Sequence, residues 1–285
     1  MTDEARRRDH GRVWLFFGLV FLVSWGVGGL YLAFPRSLTA TFGPFAYGCP
    51  AYYLAAWSPT LVALGLTLAF EGPAGLARLG RRLVQVTPLW ALVPAFLILP
   101  AIALLLSLLM PRLGAWQVSP KDILIAAPLV LFTTAQIVTN SGPLGEELGW
   151  RGYALPRLLD RWSPVHAGTI VGLIWTLWHV PAFLFSGIMS TSLANLGVYM
   201  LGTIGLSLLM TWLFVRTGGS VLLAGIIPHF VINGLGAVGA WQSRPAEVLS
   251  LAIVAAALLV LLARRNRSGA VDIDRSACLK PEGPD

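Results

Sequence analysis

The sequence predicts an all-α protein, a polytopic membrane helix bundle of about eight transmembrane helices with one short interfacial helix. Three observations predict it. Only 12% of the 285 residues are charged while 56% are hydrophobic, far from the roughly 25% charged of a soluble domain. The mean hydropathy is +0.74 over the whole chain. The cationic residues also fall in alternate loops, as they do in membrane proteins.

Apolar runs bounded by charge or by Gly and Pro lie at 13–34, 50–70, 88–110, 123–144, 165–186, 194–215, 219–240 and 247–263. Each is close to the about 20 residues that cross a bilayer. The first run follows the basic start Arg6, Arg7, Arg8 and Arg12. It is too long for the apolar region of a signal peptide and lacks a small-residue cleavage site, so it is expected to stay as the first helix. An even count with a cytosolic N-terminus puts both tails inside, together with 71–87, 145–163 and 216–218. Of the 20 Lys and Arg, only Arg36, Arg112, Lys121 and Arg244 then lie outside. A miscount by one helix would scramble that asymmetry.

The expected organisation is a basic cytosolic segment at 1–12, a transmembrane domain at 13–263 and a disordered cytosolic tail at 264–285. The location is a cell membrane, with both termini cytosolic. Within the loop 71–87, Leu76, Leu79 and Leu83 recur at helical spacing, with Arg78, Arg81 and Arg82 off that stripe. This is the pattern of a short helix in the interface, or else of an ordinary basic loop. The net charge of +7 is not that of a nucleic-acid binder, because it sits in short loops and tails. Cys49 and Cys278, far apart, offer neither a disulfide framework nor a thiolate metal cluster. The sequence carries no sign of its oligomeric state.

The informative residues are the ionisable and polar ones next to or inside apolar runs, since each is costly there. Glu146 and Glu147 follow the fourth run in Gly-Glu-Glu-Leu-Gly-Trp-Arg151; His179 lies late in the fifth; His229 and Asn233 share the seventh. On a helix Glu147 and Arg151 are four apart and can pair, which turns Glu146 about 100° away toward other helices. His229 and Asn233, also four apart, share a face. Trp175 stands one turn before His179, and Pro181 two residues after it should disturb the helix there. A fourth helix continuing to about Pro156 would put Glu146 about 15 Å from its cytosolic end. His179 would lie about 22 Å beyond Pro164, and His229 about 16 Å beyond Gly218. Read plainly, His179 bonds a neighbouring carbonyl, Glu146 and Glu147 form a charged loop with Arg151, and His229 with Asn233 is interhelical glue. Taken together they bring polar groups from three helices to similar depths, which an enclosed active site requires. For His10 and His166, near the interface, the plain assignment is preferred.

These residues resemble the motifs of the CPBP family, which comprises the type II CAAX prenyl endopeptidases and bacterial abortive-infection and bacteriocin-processing proteins. Glu146-Glu147-Leu-Gly-Trp-Arg151 resembles its EExxxR motif, Trp175-Thr-Leu-Trp-His179 its aromatic-xxx-His motif and His229-Phe-Val-Ile-Asn233 its HxxxN motif. The resemblance covers about 123–240, the expected catalytic core. Family members more usually carry Phe where this chain has Trp175, a position expected to pack rather than react.

The resemblance implies eight membrane helices and an intramembrane endopeptidase in which a Glu and a His activate water. In this chain Glu146 would be the base, His179 would hold or share the water, and His229 with Asn233 would supply donors to the oxyanion. Glu147 with Arg151 would fix the helix carrying the base. No cofactor is required by this scheme. The substrate would be a peptide or prenylated peptide reached from the lipid or the cytosol. Zinc held by Glu146, His179 and His229 is the alternative, although the HExxH spacing is absent and no second-shell carboxylate is apparent. A proton-relaying transporter or a membrane immunity protein is the non-enzymatic rival.

Overall fold

The computed structural model describes residues 3–109, 142–185 and 193–237, and all regular structure among them is helical. The protein is an all-α membrane helix bundle. Four stretches are long and apolar enough to cross a membrane: Gly11–Ala33, Ser58–Val84, Pro164–Leu184 and Leu193–Arg216. The expected span 247–263, the tail 264–285 and most of the span 123–144 lie outside the described residues.

Helix α1 (Asp3–Ala33) takes in most of the basic segment expected to stand apart at 1–12. Two short helices follow, α2 (Pro35–Phe42) and α3 (Pro50–Ala56), where a loop was expected before residue 50. Each opens on a proline, whose fixed φ and missing N–H suit a first helical position. The next helix, α4 (Ser58–Val84), is interrupted at Gly72, whose φ of 65° and ψ of −166° belong to a region open essentially to glycine. Pro73 then starts the second half, residues 73–84, where the interfacial helix was expected. Its leucine stripe is turned into the protein. Leu79 is 5% exposed and occupies the space a Cβ on Gly152 would need, and Leu83 packs on the main core.

Helix α5 (Leu92–Leu109) precedes the undescribed segment. The helix carrying the two glutamates, α6, has three pieces: Pro143–Glu147, a wide π-type segment Leu148–Ala154, and Leu155–Leu159. The expectation that the fourth span runs unbroken through these residues is corrected at its start. Gly142 has φ 90° and ψ −119°, and Pro143 follows as a first helical residue, so the helix begins anew there. A regular rise through 143–156 is also wrong, because the π-type segment advances less per residue than an α-helix.

Helix α7 (Pro164–His179) is capped by Ser163, whose hydroxyl accepts from the His166 N–H. It ends where Pro181 was expected to disturb it and passes into a tight turn of helix, Val180–Leu184. Helix α8 (Leu196–Arg216) lies along α7. Gly168 and Gly172, one turn apart, let the two backbones approach: a Cβ on Gly172 would stand 2.7 Å from the Ile204 Cα. The Ser207 hydroxyl donates to the Gly168 carbonyl across the same contact, at 2.8 Å. A second wide turn, Leu222–Ile226, leads into α9 (Ile227–Ala237).

The core forms around α6. Trp150, fully buried, meets Phe16 of α1 edge-on at 5.7 Å and Trp178 of α7 at 5.9 Å between ring centroids. Three glycines of α6 face α4 and its junction with α3. A Cβ on Gly145 would press on Trp57 and the Ala56 carbonyl, one on Gly149 on the backbone of Pro59 at 2.6 Å, and one on Gly152 on Leu79. The Thr60 hydroxyl donates to the Leu144 carbonyl at 2.7 Å. Close docking on this glycine face leaves the intervening glutamates to face α7 and α9.

Candidate active site

The helical phase places Glu147 and Arg151 on one side of α6, and they form a fully buried pair, with Arg151 Nη1 donating to Glu147 Oε1 at 3.0 Å. The same oxygen receives His229 Nδ1 of α9 at 2.7 Å. One carboxylate therefore ties its own helix to α9 as well as to Arg151. Gly225 makes room for it: a Cβ there would come within 2.8 Å of Glu147 Oε2.

Glu146 leaves the helix in another direction and reaches α7, where the indole N–H of Trp175 donates to its Oε2 at 2.5 Å. Trp150 lies beside the same carboxylate. The Trp175 ring also packs. The Arg151 guanidinium sits over it at 4.4 Å, and the His229 ring meets it edge-on at 5.1 Å. Glu146, Glu147, Arg151, Trp175 and His229 form one contiguous buried group.

His179 lies one turn beyond Trp175 and is half-buried, with Nδ1 2.9 Å from the Trp175 carbonyl. A carbonyl only accepts, so Nδ1 carries the hydrogen and Nε2 of the neutral ring bears the lone pair. Its ring is packed by Trp178 at 4.6 Å and by Tyr199 of α8 at 5.5 Å. Asn233 is also half-buried. Its amide nitrogen would stand 2.9 Å from a Cβ on Gly142, and His229 Nε2 3.5 Å from it, so both residues border the start of α6.

Sequence reasoning missed two parts of this arrangement. Tyr199 gave no signal, since a tyrosine near a helix end is ordinary. The glycines Gly145, Gly149 and Gly152 did leave one, the spacing of four and three that marks a single helical face. The expectation that no further carboxylate would hold a histidine is also corrected, because Glu147 accepts from His229 Nδ1.

Residues 126–235 match the family model described as type II CAAX prenyl endopeptidase Rce1-like. Over that segment the chain is similar to this family. The matched segment holds every residue of the site. Over 93 residues the chain is 34% identical to CAAX prenyl protease 2 of Methanococcus maripaludis, an alignment covering 31% of this chain. It spans about a third of that relative, 34% of its length.

Proposed function

We propose that this protein is an intramembrane endopeptidase of the cell membrane, hydrolysing a peptide bond with water activated by Glu146 and His179. The observation that carries this reading is the meeting of Glu146, Glu147, Arg151, Trp175 and His229, from three elements of an apolar bundle, inside the segment that matches an endopeptidase family. The relative's name, CAAX prenyl protease 2, supports a prenylated or membrane-associated peptide as substrate.

Water is held between the Glu146 carboxylate and the lone pair on His179 Nε2. Glu146 takes the proton as oxygen attacks the carbonyl carbon, then returns it to the leaving amine. Negative charge on the carbonyl oxygen is met by the Asn233 amide and by His229. With Nδ1 committed to Glu147, His229 donates through Nε2 only when its ring carries both protons, a charge that Glu147 balances. Arg151 holds Glu147 in place.

The reading is metal-free. It rests on the sequence, in which the HExxH spacing of many zinc sites is absent. No step is assigned to zinc. Both termini are proposed to be cytosolic, with substrate entering from that side or from the lipid. The test compares Glu146→Ala and His179→Ala with wild type on farnesylated and unprenylated peptides. Both variants are expected to lose cleavage, and cleavage unchanged in both removes the site.

A further inference from the structure

Trp175 touches Glu146, Arg151 and His229 at once, and its polar atom is spent on the first of these. The ring is 3% exposed and Glu146 is 4% exposed, so the indole N–H and the carboxylate meet away from solvent. An indole N–H is a donor with no acceptor function, so it can only present a hydrogen to Oε2. A buried charge-assisted hydrogen bond of this kind is among the stronger ones available to a side chain.

The ring is itself fixed from two sides. Arg151 lies over it at 4.4 Å, and His229 abuts it at 5.1 Å. Rotation of the indole is blocked by the very residues that Glu147 holds, so the direction of the N–H is set by the Glu147, Arg151 and His229 network. We propose that Trp175 is a positioning residue for the reaction. It fixes Oε2 of Glu146 through its indole N–H, leaving the other oxygen to meet water, and so links the orientation of the base to the network around Glu147. Phenylalanine can fill most of this space but cannot make this contact.

The inference rests on the reading of Glu146 as the base, and two independent measurements separate its failure from that reading's failure. The first needs no substrate. In the full chain, labelled with 15N at its 11 tryptophan indoles and held in lipid nanodiscs, the Trp175 resonance is assigned by its loss in Trp175→Phe. It is expected at low field, and Glu146→Gln, which replaces the charged acceptor by a neutral one, moves it upfield. A Trp175 resonance indifferent to Glu146→Gln overturns the proposal.

The second is kinetic, with a quenched farnesylated peptide. Trp175→Phe is expected to lower kcat about tenfold or more, the scale of a hydrogen bond to a charged group, with KM little changed. Replacement by 3-benzothienylalanine, which keeps the ring's shape and removes only the N–H, should match the Phe variant. If the benzothienyl protein cleaves like wild type, Trp175 only packs and the proposal fails. Wild-type-like cleavage by Glu146→Gln would instead sink the reading of Glu146 as the base.

Discussion

His229 of α9 presents Nδ1 to Glu147 of α6 at 2.7 Å, joining residues 82 positions apart in the sequence through a contact sealed from solvent. Glu147 also pairs with Arg151, which is likewise 0% exposed. One anion thus compensates the Arg151 charge and holds the His229 ring. Removing that anion alone strands a buried cation, whereas removing both charges of the ion pair does not.

Glu147→Leu is therefore expected to destabilise the protein by about 3–5 kcal/mol, the scale for breaking a buried pair. Adding Arg151→Met should recover most of the loss, because an apolar pair of similar volume needs no desolvation. Thermal unfolding in detergent reads both effects. Cleavage should stay low in the double variant, since His229 has lost its acceptor. A double variant no more stable than Glu147→Leu would contradict the account.

The close approach of α6 to α4 depends on glycine. At Gly149 a Cβ would fall 2.6 Å from the carbonyl carbon and oxygen of Pro59, which are backbone atoms and cannot step aside. Gly149→Ala is expected to cost roughly 1–3 kcal/mol through forced separation of the helices. Gly65→Ala, where nothing lies within 4 Å, is the matched control and should be neutral or slightly stabilising. Equal melting temperatures for the two variants would show that the glycine face does not set the packing.

Much of this site was legible because charge is scarce in the chain. Helical phase alone paired Glu147 with Arg151 and sent Glu146 elsewhere, and Pro181 marked where α7 would change. The Glu147 to His229 contact was not legible, since it depends on how α6 and α9 pack and no local spacing encodes that. The break at Gly142 was overlooked although Gly-Pro is a strong punctuation signal, because Gly142 lies within the stretch 123–144 taken as one span. For Trp175, the ring's contacts followed from its being aromatic and buried. The direction of its N–H follows only from the neighbours that hold the ring.

The kink in α4 makes a third prediction. Gly72 takes a φ of 65° with an extended ψ, and immediately before it Glu71 receives Arg78 at 2.9 Å and Arg157 of α6. The turn thereby ties the second half of α4 to the end of α6. Gly72→Ala should cost about 1–3 kcal/mol, because a side chain is strained in that region of backbone space. Glu71→Gln, which weakens partly exposed ion pairs, should cost about 1 kcal/mol or less and be masked at high salt. The opposite ranking, read by thermal unfolding at low and high salt, would mean that the ion pairs rather than the kink set this geometry.

Metal dependence gives the last prediction, and the histidines make it a sharp one. His179 and His229 each engage Nδ1, with a carbonyl and a carboxylate respectively, and leave Nε2 for other use. That is also how zinc-bound imidazoles are commonly held. Against a metal stands the sequence, since the HExxH spacing of many zinc sites is absent. Glu146, moreover, has an oxygen committed to Trp175. Purified protein is therefore expected to hold no stoichiometric zinc by elemental analysis and to keep its cleavage rate after exhaustive chelation. Cleavage abolished by chelation and restored by one equivalent of zinc would replace the glutamate mechanism with a metal-dependent one.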